Sequence, residues 1–154
     1  MNKRYGGVVR AGVIAALVSV SGVLGAADNP ADIIKYRQNV MKAIGGNAGA
    51  SAAILENKVA FKDRLDEHAR ALAAATRNIP ALFPPGSDTG AKTRALEAIW
   101  TKRAEFEKRA MDAQEKAAAF AKAVASNDET QMRAAFKELN GTCRGCHRDF
   151  RQKD

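Results

Sequence analysis

The chain has 154 residues, 27% charged and 46% hydrophobic, with a formal net charge of +8 and two cysteines. That length supports one domain around one core. The charges alternate in sign without a polybasic block or a basic–aromatic stripe, so no nucleic-acid partner is expected.

Lys3, Arg4 and Arg10 precede an uncharged apolar run from Ala11 to Leu24, and the small residues Gly25, Ala26 and Ala27 follow it. Basic start, apolar run and small-residue cleavage site are the order of a secretory signal peptide, read here as residues 1–27 with cleavage near Ala27. The run is short for a membrane span, so no stable anchor is expected. Losing three basic and no acidic residues takes the net charge from +8 to +5 for the mature domain, residues 28–154. The expected location is the periplasm.

The mature segment is rich in Ala, Lys, Glu, Arg and Leu and poor in β-branched runs, a helical composition. Asp28-Asn29-Pro30 starts a first helix, with a capping side chain and Pro in the first turn. Ile33, Tyr36, Arg37, Val40, Met41 and Ile44 recur along it at helical spacing. Gly45-Gly46 weakens the helix before the pattern resumes toward Leu55. A second helix is predicted from about Val59 to Asn78, with Phe61, Leu65, Leu72 and Ile79 on one face. Ile79 to Gly90, with three prolines and two glycines, is a loop.

The third helix carries the clearest seam: Leu96, Ile99, Arg103, Phe106, Ala110, Ala113, Ala117, Phe120 and Val124 alternate steps of three and four. Ser126-Asn127-Asp128 ends it and caps a fourth helix, where Met132, Phe136, Leu139, Cys143, Cys146 and Phe150 continue the alternation. Four amphipathic helices with mostly short connections predict an all-α fold, an antiparallel up-down-up-down four-helix bundle.

Both cysteines fall in the stretch CRGCH, Cys143 to His147. On a helix these neighbours share a face, roughly 5–6 Å apart at Cβ. A disulfide there would close a tiny loop and constrain little. Zinc needs about four ligands, and His68 is the one other histidine or cysteine. A redox dithiol of the thioredoxin kind belongs in a βαβ setting that this chain lacks. C-x-x-C-H is the attachment pattern of c-type haem. The two thiols bond the porphyrin edge and the imidazole of His147 serves as proximal iron ligand.

Three stretches, YRQNVMKAIGGN, PALFPPGS with TRALEAIW, and CRGCHRDFR, resemble the class II c-type cytochromes, the family of cytochrome c prime and its low-spin relatives. The resemblance implies a four-helix bundle enclosing one covalently bound haem c, attached near the C-terminus at Cys143 and Cys146. Such bundles place the end of the last helix beside the start of the first. His147 is seven residues from the C-terminus and Met41 eleven from Pro30. Those depths are about 10 and 16 Å, compatible with two groups facing across a haem. Met132, about 22 Å from His147 along its helix, is out of reach. Met111 reads as a packing residue and His68 as a rim residue.

In the family the Met41 position faces the distal side of the haem. Low-spin members use a methionine there as sixth ligand, which makes an electron carrier with His147 and Met41 axial the first expectation. The alternative is a high-spin, five-coordinate member binding NO or CO. Arg37 and Gln38 match family positions against the haem edge and its propionates, while Thr93 and Arg94 fall near the second propionate. Trp100 is expected in the core beside the haem. Arg144, Arg148, Arg151 and Lys153 either present a basic rim to a redox partner protein or balance the helix C-terminus. The family's dimers form through the first two helices, and the small residues from Gly45 to Ala53 permit such packing in a homodimer. No enzymatic activity is expected.

Overall fold

The structure is a computed structural model that describes Met1 and residues 29–153. Apart from Met1, the signal peptide predicted over residues 1–27 lies outside the described residues. Five α-helices follow: α1 (Pro30–Leu55), α2 (Leu65–Ala75), α3 (Ala98–Thr101), α4 (Arg103–Ala125) and α5 (Glu129–Phe150). α5 packs along α4, α2 lies against both α1 and α4, and α3 is a single turn preceding α4. The four long helices form the expected bundle. No described helix is long and apolar enough to cross a membrane.

Local chemistry explains the helix starts. Asn29 caps α1 by accepting from the Ala31 N–H at 2.9 Å, with Pro30 at the first position. Such a cap contributes about 1 kcal/mol, because it satisfies an amide that otherwise has no partner in the helix. Asp128 caps α5 by accepting from the Gln131 N–H at 3.0 Å, and that bond holds its carboxyl below the usual range. Asn127, at φ 57°, turns the chain from α4 into α5.

Several elements differ from the sequence reading. α1 runs without interruption through Gly45-Gly46. The cost of a glycine in a helix, about 1 kcal/mol against alanine, is outweighed by the burial of Ile44, Ile54 and Leu55 on either side. The buried stripe of α1 centres on Ile34, Arg37, Ile44, Ser51 and Leu55. Tyr36, two residues from Ile34, turns roughly 200° away and is 63% exposed. α2 begins at Leu65 rather than near Val59, after a 3₁₀ turn at Lys62–Arg64, so Phe61 stays outside the core. The long seam of the third helix is broken at Lys102 (φ −114°, ψ 46°), and Leu96 lies before the first turn, exposed.

Elsewhere the seams match. Ile99, Phe106, Ala110, Ala113, Ala117, Phe120 and Val124 are buried, as are Met132, Phe136, Leu139 and Phe150. They divide between two apolar clusters. The larger joins Leu72, Phe120, Phe136 and Leu139 at one end of the bundle, and the smaller joins Phe83, Ile99, Phe106 and Phe150 at the other. Met41 packs against both. Met111, read as a packing residue, is 57% exposed, because it follows Ala110 onto the outer face of α4.

Phe120 has no exposed surface and rests on Phe136 with ring centroids 5.1 Å apart. Phe120→Ala should lower unfolding stability by about 3–5 kcal/mol, read as a shifted denaturation midpoint at unchanged slope.

Candidate functional site

A cavity of about 510 Å³ opens between α1 and the C-terminal half of α5. That volume falls inside the range of about 300–1,000 Å³ typical of cofactor pockets. α1 contributes Arg37, Gln38, Met41, Lys42, Ile44, Gly45 and Ala48, and α5 contributes Asn140, Cys143, Cys146, His147 and Phe150. The floor is apolar: Ile79, Phe83, Ile99, Phe106, Ala110 and Ala113. Small residues at positions 45, 48, 110 and 113 keep this space open, since helix axes about 8–10 Å apart would otherwise be filled by larger side chains.

The CRGCH residues stand where their helical spacing puts them. Cys143 and Cys146 are half-buried free thiols on the face of α5 that lines the cavity. Burial raises both thiol pKa values, that of Cys146 to about 11 with the neighbouring Cys143 adding to the rise. Both are therefore neutral thiols at ordinary pH. His147 lies at the open mouth. Its pKa is lowered, first by the protein packed around the ring and then by the Arg151 and Arg94 cations. A depressed pKa keeps the imidazole neutral, the form that can ligate a metal.

A short antiparallel bridge, unsuspected from the sequence, holds the end of α5. Leu96 N–H donates to Phe150 O at 3.0 Å, Gln152 N–H to Arg94 O at 2.8 Å, and Ala95 pairs with Arg151. The Arg94 guanidinium also donates to Gln152 O, at 3.0 and 3.3 Å. The last turn of α5, with His147 on it, is thus tied to the segment before α3. No pattern of alternating residues announces a bridge this short.

Arg37 is the other surprise. It is buried to 2% exposure, with Nη1 donating to Ser87 O at 2.8 Å and Ser87 Oγ at 2.9 Å, and Nη2 donating to Thr93 Oγ1 at 3.1 Å. Its guanidinium lies 4.8 Å from the Phe83 ring and 5.7 Å from the Trp100 ring. Burial lowers its pKa and the field of Asp88 opposes that shift. A guanidinium stays protonated throughout. Gln38 Nε2 donates to Lys92 O at 2.9 Å. Both residues line the cavity, and both also fasten the loop between Phe83 and Arg94 to α1. Thr93 and Arg94 reach the cavity as well.

The remaining candidates lie elsewhere. Trp100 packs beside the smaller cluster and its Nε1–H donates to Pro84 O at 3.0 Å, outside the cavity lining. His68 is half-buried on α2, paired at 2.9 Å with Asn47 of α1, and lines a separate surface groove. Met132 is buried in the larger cluster.

Residues 32–151 match the family described as Cytochrome C'. The chain belongs to the cytochrome c' family. A cytochrome c' from Pararhodospirillum photometricum is 36% identical over 124 residues, covering 80% of this chain and 99% of the relative. A cytochrome c' from Rhodospirillum rubrum is 32% identical over 140 residues, covering 90% and 95%. Among solved structures, cytochrome c' from Thermochromatium tepidum superimposes with a TM-score of 0.78 at 28% identity, over 83% of this chain and 100% of that one.

The cofactor of the family is one covalently bound haem c, and the cavity fits it. Two neutral thiols three residues apart, a neutral imidazole beside them and an apolar floor are the donor set and surroundings such a group requires. Replacing Cys143 and Cys146 together by Ala should abolish covalent attachment. Peroxidase staining on a denaturing gel checks this: wild type should carry stained haem and the double variant none.

Proposed function

We propose that this chain is an exported haem c protein whose iron is held from one side and open to NO or CO on the other. Cys143 and Cys146 carry the two thioethers and His147 is the proximal ligand. Met41 stands across the cavity as a wall residue. The single observation behind this reading is family membership over residues 32–151, joined by relatives that carry the name cytochrome c' at 32–36% identity. One solved neighbour, 26% identical with a TM-score of 0.78 over 83% of this chain and 100% of that one, is described as a cytochrome c' with ligand-controlled dimer dissociation.

When bound, the haem supplies the redox and ligand-binding chemistry. The chain's own residues decide which of these is expressed. Met41, Ile44, Gly45 and Ala48 make an apolar patch on the α1 wall, and none of these four side chains can donate to a bound water, whereas Arg37, Gln38 and Lys42 stand beside it. Such a patch suits a small neutral diatomic, since distal polarity and steric access select what the iron binds. Arg37 and Gln38, expected from the sequence on the propionate side, line the cavity in this reading, and their bonds to Ser87, Thr93 and Lys92 O fasten the loop.

One observation favours a second reading, the six-coordinate electron carrier that the sequence put first. Met41 lines the same cavity as His147, from the facing helix. Absorption spectra of the purified holoprotein with and without CO separate the two. A high-spin spectrum with ready CO binding, unchanged in spin state by Met41→Ala, is the expected result. A low-spin spectrum with a far-red charge-transfer band that disappears in Met41→Ala would overturn it. That variant would then also lower the reduction potential, because methionine ligation raises it.

The proposed assembly is a homodimer through α1 and α2. Ala50, Ala53, Ile54, Val59 and Phe61 form an apolar groove beside His68, with Phe61 63% exposed. A Cβ built at Gly46 or Gly49 meets nothing within 4 Å, so a second backbone can approach closely. Phe61→Asp should shift the protein toward monomer in sedimentation velocity; an unchanged dimer would exclude this face.

A further inference from the structure

We infer that the cavity mouth is a docking surface for the acidic face of a one-electron redox partner protein. The inference rests on the haem reading in needing an iron beside the mouth, and it holds for either coordination number.

The lining of the cavity includes Arg37, Lys42, Arg94 and Arg151 and no Asp or Glu. Arg37 is spent inside on the loop, whereas Lys42 and Arg151 face solvent. Two further exposed cations border the opening. Lys92 is exposed, and its carbonyl accepts from Gln38, a lining residue. Arg144, also exposed, lies one turn from both Asn140 and His147 on α5. These cations come from three separate parts of the chain that only the fold brings to one rim.

Asp149, a carboxylate near the rim, is already engaged. It accepts from Arg109 Nη2 at 3.0 Å and from Arg148 Nε at 2.9 Å, which binds it toward α4. Asp88 sits in the field of Arg37. At the opposite end of the bundle acids and bases interleave, as in the pairs of Glu129 with Arg133 and with Lys62. Positive charge is therefore concentrated where the chain approaches the haem. A cleft with low-dielectric walls focuses such a field outward, raising encounter rates with partners of opposite sign. An acidic partner would be drawn to the edge of the protein where electron transfer is shortest.

The test follows oxidation of the ferrous holoprotein by stopped flow. Each oxidant gains one electron, ferrous haem becomes ferric, and no proton moves. Anionic hexacyanoferrate(III) should react more slowly as salt rises, and cationic tris(phenanthroline)cobalt(III) more quickly. Lys42→Glu/Lys92→Glu should slow the anionic oxidant about three- to tenfold at low salt and weaken its salt dependence. Lys58→Glu/Lys122→Glu, past the end of α1 and near the end of α4, carries the same change in net charge away from the cavity lining and should change the rate much less. Poly-L-glutamate should inhibit wild type and this remote double variant while sparing the rim double variant. Equal effects of the remote and rim substitutions, or equal inhibition of all three proteins, would overturn the proposal. Visible spectra of the same samples report coordination separately, so a failed coordination reading and a failed docking surface give different results.

Discussion

A guanidinium buried to 2% exposure must have its donors met by protein groups, and how Arg37 meets them organises one end of this molecule. Its bonds to Ser87 and Thr93 draw the loop after Phe83 onto α1. Its face contact with Phe83 starts an edge-to-face series, Phe83 on Phe106 at 5.1 Å and Phe106 on Phe150 at 5.3 Å. Phe150 is the last residue of α5, three positions beyond His147. One charged side chain on the first helix is thereby connected, through three aromatic rings from three elements, to the turn that carries the iron-ligand candidate. Each such aromatic pair is worth about 0.5–1.5 kcal/mol beyond its area, so the series also holds the floor of the cavity rigid.

The same end of the bundle holds the cavity. The larger apolar cluster packs tightly around Phe120 and Leu139, whereas toward Cys143 the helices carry alanine and glycine and leave room. Packing density is thus partitioned along one bundle: dense where only stability is needed, open where a planar group must be enclosed on several sides. Met41, touching both clusters, stands at the boundary. Its side chain is flexible and polarisable, which lets one residue serve as packing, as cavity wall or as a ligand. That adaptability is why its identity permits two coordination states.

The CRGCH thiols were legible because their chemistry depends on spacing alone: three residues along a helix give one face, whatever the rest of the chain does. The alternation in α4 and α5 was legible for the same reason: both helices bury the apolar residues it named from Phe106 to Val124 and from Met132 to Phe150, while Arg103, Cys143 and Cys146 on the same seams are half-buried. The α1 stripe was legible in period and wrong in phase by about a residue, which exposed Tyr36 and buried Ile34. Amphipathic periodicity fixes a face to within a turn of the wheel, and only a neighbouring helix chooses among adjacent stripes.

By itself, then, this sequence determined a helical bundle, a C-x-x-C-H motif on one face of its last helix and a family, because helical periodicity and that spacing are local properties of the chain. The tertiary structure alone decided the rest. Arg37 and Ser87 are 50 residues apart, and Arg94 and Gln152 are 58 apart. Nothing local in either partner names the other. The cationic rim of the cavity is likewise assembled from a helix, a loop and a tail that meet only in the folded chain. Hydrogen bonds and charge fields depend on distance in space, and that distance exists only after the hydrophobic seams have packed.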